Sequence, residues 1–344
     1  MGHGGDDFDQ LLKRLGDPTK PLSLADLPDL SDLSGERLDR FRAALGTYPT
    51  ERRRRLLRAL LELGESTFEV SFDALYLSCL QDPDGTVRAT AVEGLWENSS
   101  PGLMGRLLVL LCSDPSPGVR AAAATGLGRF VLAGQLEKLD AADESRILGQ
   151  LLTTFHVTRE TLEVRRRALE SAAYANSAEI AEALALAYDQ DEEELRLSAV
   201  LGMGRSCDPR WRPILVDELK SASAAMRYEA VVACGEIGLA SSVPLLGEML
   251  HDRDRQVADA ATWALGQIGG KVARDLLLDA YEDADEDAQA AIDDALAEQA
   301  LSAGTSAFTL HDLDDPEGAD PLCEDDESVW DSPDDDSGGA DLQT

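Results

Sequence analysis

The chain has 344 residues and a formal net charge of −35, and residues 302–344 contribute 14 acidic residues with no Lys or Arg. The remaining residues still carry −21, which disfavours long-range attraction to nucleic-acid phosphates or anionic membranes. Apolar residues make up 44% of the sequence and aromatic residues only 5%. Ala, Leu and Arg are abundant and strand-forming runs are scarce, so we expect an all-α protein with an aliphatic core.

The five cysteines are widely spaced and form no C-x-x-C pair, so they indicate neither a disulfide framework nor a zinc site. Residues 1–10 lack the apolar centre of a signal peptide, and no uncharged apolar run reaches the roughly 18 residues of a membrane span. We therefore expect a cytoplasmic protein without a metal or cofactor.

The first segment, residues 1–35, begins with a short amphipathic stretch over residues 8–15 and continues as a connector rich in Pro, Leu, Asp and Ser. This composition predicts a mobile or loosely docked arm. A basic run follows, formed by Arg52 to Arg55 with Arg58. If this segment is helical, the Arg side chains project from all sides of the helix. Its simplest interpretation is a solvated helical cap, and the alternative is a docking patch for an acidic segment.

An internal repeat begins further along the chain, marked by an apolar residue followed by Arg. The starting residues are separated by 32, 45, 31, 31 and 31 positions. The sixth copy has Ala in place of Arg. The six pairs are Val87-Arg88, Val119-Arg120, Val164-Arg165, Leu195-Arg196, Met226-Arg227 and Val257-Ala258.

Small residues recur at fixed offsets from each apolar start. The residue four positions later is always Ala, and the residue seven positions later is always Gly, Ser or Ala. These offsets lie on one face of an α-helix and predict a buried stripe that lets neighbouring helices approach closely. Glycines close the pattern, as in residues 235–238 and 266–269, and predict the end of the helix. The Ala positions are Ala91, Ala123, Ala168, Ala199, Ala230 and Ala261.

A second amphipathic segment precedes each of these helices, so the repeating unit is a pair of helices. The combined pattern, with a nearly complete copy over residues 114–128, resembles the HEAT-like repeat of the phycobilisome-lyase type. The resemblance implies an α-solenoid, a right-handed superhelix of about seven to eight helical pairs. We place it over residues 36–301, with the clear copies over residues 82–269.

The 45-residue interval is 14 residues longer than the repeat requires. The extra residues fall between Phe130 and Thr161. A lengthened helix or loop is the simpler interpretation, and a protrusion that binds a partner is the alternative.

The resemblance also implies a role for the recurrent Arg. Such an Arg pairs with an acidic residue in the turn of a neighbouring unit, and Asp82, Asp114 and Asp191 are available for this. We therefore expect a structural ladder rather than an anion-binding site, formed by Arg88, Arg120, Arg165, Arg196 and Arg227.

In the family, the second helix of each pair lines the concave side, and its residues outside the buried stripe are free to contact a partner. Tyr, Trp and Arg, which are enriched at interface hot spots, occur among them. An ordinary solvated helix face is the alternative. The candidate residues are Glu93, Arg129, Arg166, Arg167, Glu170, Tyr174, Arg205, Tyr228, Glu229, Glu236, Asp259, Trp263 and Gln267.

Catalytic signatures are weak. The four histidines are isolated from one another, unlike the His-Glu metal motifs of the HEAT-like di-iron hydroxylases, and no P-loop or nucleophile elbow occurs. We expect a non-catalytic scaffold or adaptor that binds proteins. The alternative is an enzyme or enzyme subunit similar to the bilin lyases or hydroxylases, and a nucleic-acid repair solenoid is disfavoured by the charge.

The acidic tail, residues 302–344, has too little apolar content to fold alone, and we expect it to be disordered. Trp330 lies among carboxylates in a segment that fits either a recognition motif or a solubilising tail. A contact in cis between this tail and the Arg52–Arg58 region is a further hypothesis.

Overall fold

The computed structural model describes the backbone of residues 3–67 and 69–313, and the side chains of residues 7–67 and 69–301. Regular structure in these ranges is entirely helical, as predicted. Contacts divide the chain into two units, Met1–Gln299 and Ala300–Thr344. The α-helices are α1 His3–Gly16, α2 Gly35–Leu45, α3 Thr50–Ser66, α4 Asp73–Cys79, α5 Gly85–Glu93, α6 Pro101–Ser113, α7 Pro117–Gln135, α8 Ala141–His156, α9 Leu162–Ala172, α10 Ala178–Tyr188, α11 Glu193–Arg205, α12 Arg212–Glu218, α13 Ala224–Glu236, α14 Val243–Met249, α15 Arg255–Ile268, α16 Gly270–Tyr281 and α17 Glu286–Leu313.

Helices α4 to α15 pack as six consecutive pairs, which correspond to the six copies of the sequence repeat. In each pair the first helix (α4, α6, α8, α10, α12 or α14) contacts the second (α5, α7, α9, α11, α13 or α15). Each second helix also packs against the second helix of the next pair. The pairs therefore form two layers stacked in one direction, which confirms the predicted α-solenoid.

The repeated apolar and Ala positions form the core of the stack. All six starting residues, from Val87 to Val257, are buried, and the six Ala residues four positions later have no solvent exposure. Burying a Val, Leu or Met side chain, the types found at the starting positions, contributes about 1.5–3 kcal/mol to the free energy of folding. The stripe is thus both the sequence signature of the repeat and a main source of its stability.

Glycines inside the second helices bring neighbouring helices together. A Cβ atom added to Gly204 or Gly235 would lie 2.8 or 3.0 Å from the Cα of an Ala in the next second helix, Ala233 or Ala264. First helices make fewer close approaches to one another. The second helices therefore form the more closely packed of the two layers.

The helix ends differ from the prediction in one respect. Gly235 and Gly266, read as the start of the stop signal, lie inside α13 and α15 and serve in packing. The following glycines, Gly238 and Gly269, have φ angles of 61° and 68°. These values lie in the left-handed region that glycine adopts without a steric penalty, so in these two copies the later glycine marks the end of the helix.

The extra residues of the long interval are helical. Helix α7 has 19 residues, whereas the other second helices have 9 to 14. Helix α8, which follows it, has 16 residues. The insertion therefore mainly lengthens two helices, in agreement with the simpler interpretation.

The N-terminal segment is packed onto the solenoid rather than mobile or loosely docked. Most of its apolar residues are buried in the common core, and the hydroxyl of Tyr48 donates a hydrogen bond to the Leu12 carbonyl. Composition alone misses this docking because it does not show what these apolar side chains pack against. The buried ones are Phe8, Leu11, Leu12, Leu15, Leu27, Leu30 and Leu33.

The basic run in α3 is not simply a solvated cap. The buried Arg52 donates to the carbonyls of Leu15 and Lys20, at 2.6 and 2.7 Å, and so holds the N-terminal segment. Arg53 is also buried, with its Nε atom 2.9 Å from Asp82. Only Arg54, Arg55 and Arg58 are exposed.

Candidate binding surface

The solvent-facing residues of α5, α7, α9, α11, α13 and α15, with the turns that directly follow α5 and α9, form one continuous surface, called here the second-helix face. Most of the candidate residues predicted from the sequence lie on it. Its chemistry varies along the stack, from a groove beside α7, through a polar network between α9 and α13, to exposed aromatic rings on α13 and α15.

Aromatic side chains stand at several points of this face. Tyr228 and Trp263, both predicted, are 39% and 41% exposed. Trp96, which follows α5, is 52% exposed and was not predicted. Tyr174 is half-buried, and the guanidinium carbon of Arg205 lies 4.7 Å from its ring centroid.

The predicted residues of α9 form a polar network rather than free contact groups. Glu170 is buried, and its carboxylate accepts hydrogen bonds from Ser198 at 2.6 Å and from Arg167 at 2.9 Å. Arg166 donates to the same Ser198 hydroxyl at 2.9 Å. These side chains are matched to one another and stabilise the contact between α9 and α11.

Glu229 on α13 faces this network. Burial raises the pKa of its carboxyl group to about 7, the nearby charge of Glu170 raises the pKa further, and Arg205 opposes the shift. Glu236, two turns beyond, is exposed and lies against Gly204 of α11. Glu229 thus changes its charge near neutral pH at the centre of the face.

Beside α7 the face contains a groove of about 650 Å³. The α7 helix forms its floor with small residues such as Ala121, Ala122 and Gly126. Trp96 and Leu132, both exposed, are among the wall residues, and so is the predicted Arg129. Leu132 belongs to the lengthened part of α7, so the insertion helps to build this groove.

A second groove, of about 380 Å³, lies beside α15. Its lining includes three predicted residues, Asp259, Trp263 and Gln267, together with Glu298 of α17. Asp259 is exposed and lies 3.8 Å from Arg255. The aromatic ring of Trp263 is the main apolar surface that this groove offers.

Three of the five ladder arginines hold an acidic residue of the next unit. Arg88 binds Asp114, Arg120 binds Glu160 and Arg227 binds Asp252, with N–O distances of 2.7 to 2.8 Å. In each case Nε and Nη2 hold the two carboxylate oxygens. The Nη1 atom donates to a backbone carbonyl of the preceding turn.

The other two ladder arginines differ. Arg165 donates to the Phe155 carbonyl and lies over its ring, without an acidic partner in the described part of the chain. Arg196 lies 3.5 Å from Glu218 of the next pair. Asp191, expected as a ladder acid, is exposed. Arg53 with Asp82 adds a further rung at the start of the array.

Sequence reasoning missed two groups, and each had a signal. Trp96 stands nine positions after Val87, where four other copies have Gly. A large aromatic residue in place of a packing glycine indicated that this copy differs from the others at its surface. Arg53 lies in the basic run 29 residues before Asp82, and the apolar–Arg pattern that marks the other rungs is absent there because Arg52 precedes it. Trp330 and the proposed tail contact lie outside the described residues.

The described residues also show features that bear on metal binding, membrane insertion and disulfide formation. Among the described residues, no group of three or more His, Cys, Asp or Glu side chains is placed to hold a metal ion. None of the described helices has both the length and the apolar character needed to cross a membrane. The four cysteines in the described part of the chain are free thiols.

Comparison with known proteins agrees with this architecture. Residues 73–154 and 212–297 match the HEAT_2 family model, described as HEAT repeats. The chain therefore contains HEAT repeats, and the match does not extend to the phycobilisome-lyase type. No curated protein sequence matches the chain.

Similar solved structures share little sequence with it. YibA of Escherichia coli is 16% identical with a TM-score of 0.40, over 78% of this chain and 98% of YibA. Kap95p, from a structure with RanGDP, is 16% identical with a TM-score of 0.45, over 91% of this chain and 49% of Kap95p. Human deoxyhypusine hydroxylase is 21% identical with a TM-score of 0.32, over 76% of this chain and 96% of the enzyme.

Proposed function

We propose that this protein is a non-catalytic scaffold or adaptor that binds partner proteins on its second-helix face. The observation that carries the proposal is the presence of exposed aromatic rings, Trp96, Tyr228 and Trp263, on one face of a HEAT-repeat array. Trp and Tyr are the residues most enriched among interface hot spots. Exposed rings on a continuous surface favour a protein partner.

The size of the face also supports a protein partner. Six helices at the usual spacing of about 8–10 Å span about 40–50 Å. A stable interface buries about 800 Å² on each partner, which such a surface can supply. The grooves beside α7 and α15 add shape to it, so the face offers anchoring sites as well as area.

The alternative function is that of a bilin-lyase-like or hydroxylase-like enzyme or enzyme subunit. It makes a different prediction for the purified protein. An enzyme of these kinds binds a tetrapyrrole or a metal, and either would be detected by visible absorption or by elemental analysis. We expect colourless protein without stoichiometric metal, and bound pigment or metal would contradict the scaffold proposal.

The direct experiment is affinity capture with the full-length protein from its native host, quantified by mass spectrometry. We expect a partner in stoichiometric amounts, and we expect the Tyr228→Ala, Trp263→Ala double variant to lose most of it. The matched control is the Leu186→Ala, Val272→Ala double variant, which removes exposed apolar side chains from α10 and α16.

Thermal unfolding of each variant verifies that the fold is intact. Equal capture by the wild type and by the Tyr228, Trp263 variant would contradict the proposed surface. Loss of the partner only in the Leu186, Val272 control variant would indicate that the partner binds the first helices instead.

A further inference from the structure

Arg129 differs from Arg167, the other arginine that lines the groove beside α7. Arg167, on the opposite wall, is matched by Glu163 and Glu170 at 2.8 and 2.9 Å. Arg129 donates from Nη1 to the Trp96 carbonyl at 2.8 Å, and no acidic residue in the described part of the chain pairs with it. Its Nε and Nη2 atoms are shielded from solvent and have no hydrogen-bond partner there.

The ladder shows what this arrangement binds elsewhere in the same molecule. In Arg88, Arg120 and Arg227, Nη1 donates to a backbone carbonyl while Nε and Nη2 hold one carboxylate. Arg129 has the same Nη1 contact and offers the same pair of nitrogens. A planar guanidinium edge of this kind matches a carboxylate in two parallel hydrogen bonds.

The energetics favour such a ligand. A buried N–H group without a hydrogen-bond partner destabilises the protein, and the effect is larger when the group is charged. Burial accordingly lowers the pKa of Arg129, and the charge of Asp73, which forms no ion pair with it, opposes this effect only in part. A carboxylate brought by a ligand would satisfy both N–H groups and balance the buried charge.

The surroundings of Arg129 define the rest of the ligand. Trp96 and Leu132, 52% and 41% exposed, line the same groove, and the Tyr174 ring packs against Gly128. From Gly118 to Leu132 the floor of α7 is about 21 Å long at 1.5 Å per residue. A floor of this length accommodates a short extended peptide of about six residues. Such a peptide could place an acidic side chain at Arg129 and an apolar side chain beside Trp96 and Leu132.

We propose that the groove beside α7 binds an acidic peptide segment of a partner protein, whose carboxylate pairs with Nε and Nη2 of Arg129 while an adjacent apolar side chain contacts Trp96 and Leu132. The proposal rests on the proposed function and specifies the chemistry of the partner. Because the two nitrogens are shielded, binding includes side-chain rotation in the groove, a common adjustment at interfaces.

The net charge of −35 repels an acidic ligand at a distance, but the local pair acts at hydrogen-bond distance in a less polar setting. Salt screens the long-range repulsion more than the buried pair. Affinity for the acidic peptide should therefore hold or increase between low and physiological ionic strength. A surface attraction between opposite charges would give the reverse dependence.

The test uses the full-length protein and a random peptide library displayed on phage. Selected sequences are synthesised, and their affinity is measured by fluorescence anisotropy. We expect peptides with Asp or Glu next to an apolar residue. Arg129→Gln in the protein, or the acid-to-amide change in the peptide, should each weaken binding by about tenfold or more, and the two changes together little more than either alone.

Arg274→Gln, on the exposed surface of α16, is the matched control and should bind as wild type does. Folding is followed by thermal unfolding, where Arg129→Gln should cost little because it removes unpartnered N–H groups, whereas Arg88→Gln should be strongly destabilising. Selection without carboxylate-dependent binders, or unchanged affinity in Arg129→Gln, contradicts this proposal. If the native partner is still lost in the Tyr228, Trp263 variant, the proposed function stands without it.

Discussion

At the scale of single residues, stability rests on arginine–carboxylate pairs between consecutive repeats. Arg227 and Asp252 are each 7% exposed at the side chain and are joined by two hydrogen bonds. Breaking a buried pair from one side leaves an uncompensated charge. The pairs therefore tie each unit to the next, and their loss should be felt across the array.

We predict that Asp252→Asn lowers the free energy of unfolding by about 3–5 kcal/mol at neutral pH, as is usual when one partner of a buried pair is removed. Asp275→Asn, whose pair with Lys271 is exposed, should cost at most about 1 kcal/mol. Urea denaturation compares the two. Equal effects would contradict a structural role for the ladder.

The same pair gives a prediction for acid pH. Hydrogen bonds from Arg227 hold the pKa of Asp252 below its ordinary value. Its contribution is therefore present above the unfolded pKa of about 3.9 and is lost as the pH falls below that value toward the folded pKa. Asp252→Asn should make the stability profile flatter in this range, and an unchanged acid limb would contradict the prediction.

Glu229 should have the opposite dependence. Burial raises its pKa to about 7, so its ionisation opposes folding increasingly between the unfolded pKa of about 4.3 and pH 7. Glu229→Gln should therefore stabilise the protein at pH 8 relative to wild type and have little effect at pH 4. Thermal melts at the two pH values test this, and the same change in melting temperature at both would contradict it.

At the scale of the helices, the close approach of second helices depends on glycine. We predict that Gly204→Ala destabilises the protein by about 1–3 kcal/mol, because the new Cβ atom would lie 2.8 Å from the Ala233 backbone. Gly149→Ala, in an open part of α8, should instead stabilise it by about 0.5–1 kcal/mol. Effects of the same sign would contradict the packing role.

Much of this element structure was predictable from the sequence, because buried Ala at fixed offsets in six copies fixes both helix type and helix face. The role of Gly235 was not, since a glycine before a helix end fits a stop signal as well as a packing contact. Only the distance to Ala264 in the next helix distinguishes them. Docking of the N-terminal segment depends likewise on where Arg52 meets the Leu15 carbonyl.

The sequence predicted that the candidate residues lie on the second helices, but it did not predict which of them pair with one another. Glu170 and Arg167 were expected to be free to contact a partner, yet they form an ion pair with each other. Arg129 forms no ion pair with a described acidic residue. The sequence pattern assigns all three to similar positions. Their difference lies in their neighbours: Arg167 reaches Glu163 and Glu170, whereas Arg129 reaches the Trp96 carbonyl.

At the scale of the whole molecule, the HEAT-repeat array carries exposed aromatic rings and two grooves on its second-helix face. Small residues let the second helices pack closely, so the same positions that give the repeat its signature also bring the parts of the second-helix face together. The residues that differ between copies, such as Trp96, Arg129 and Trp263, then give each part of the face its own chemistry. A partner would be recognised by this variation along the array.

The most direct test is hydroxyl-radical footprinting of the protein alone and in complex with its captured partner, since Trp and Tyr side chains react readily when exposed. We predict protection of Trp96, Tyr228 and Trp263 in the complex, with unchanged reactivity of Leu186 and Val272 on the first helices. Protection of the first-helix residues, with the three aromatic rings still reactive, would contradict the account.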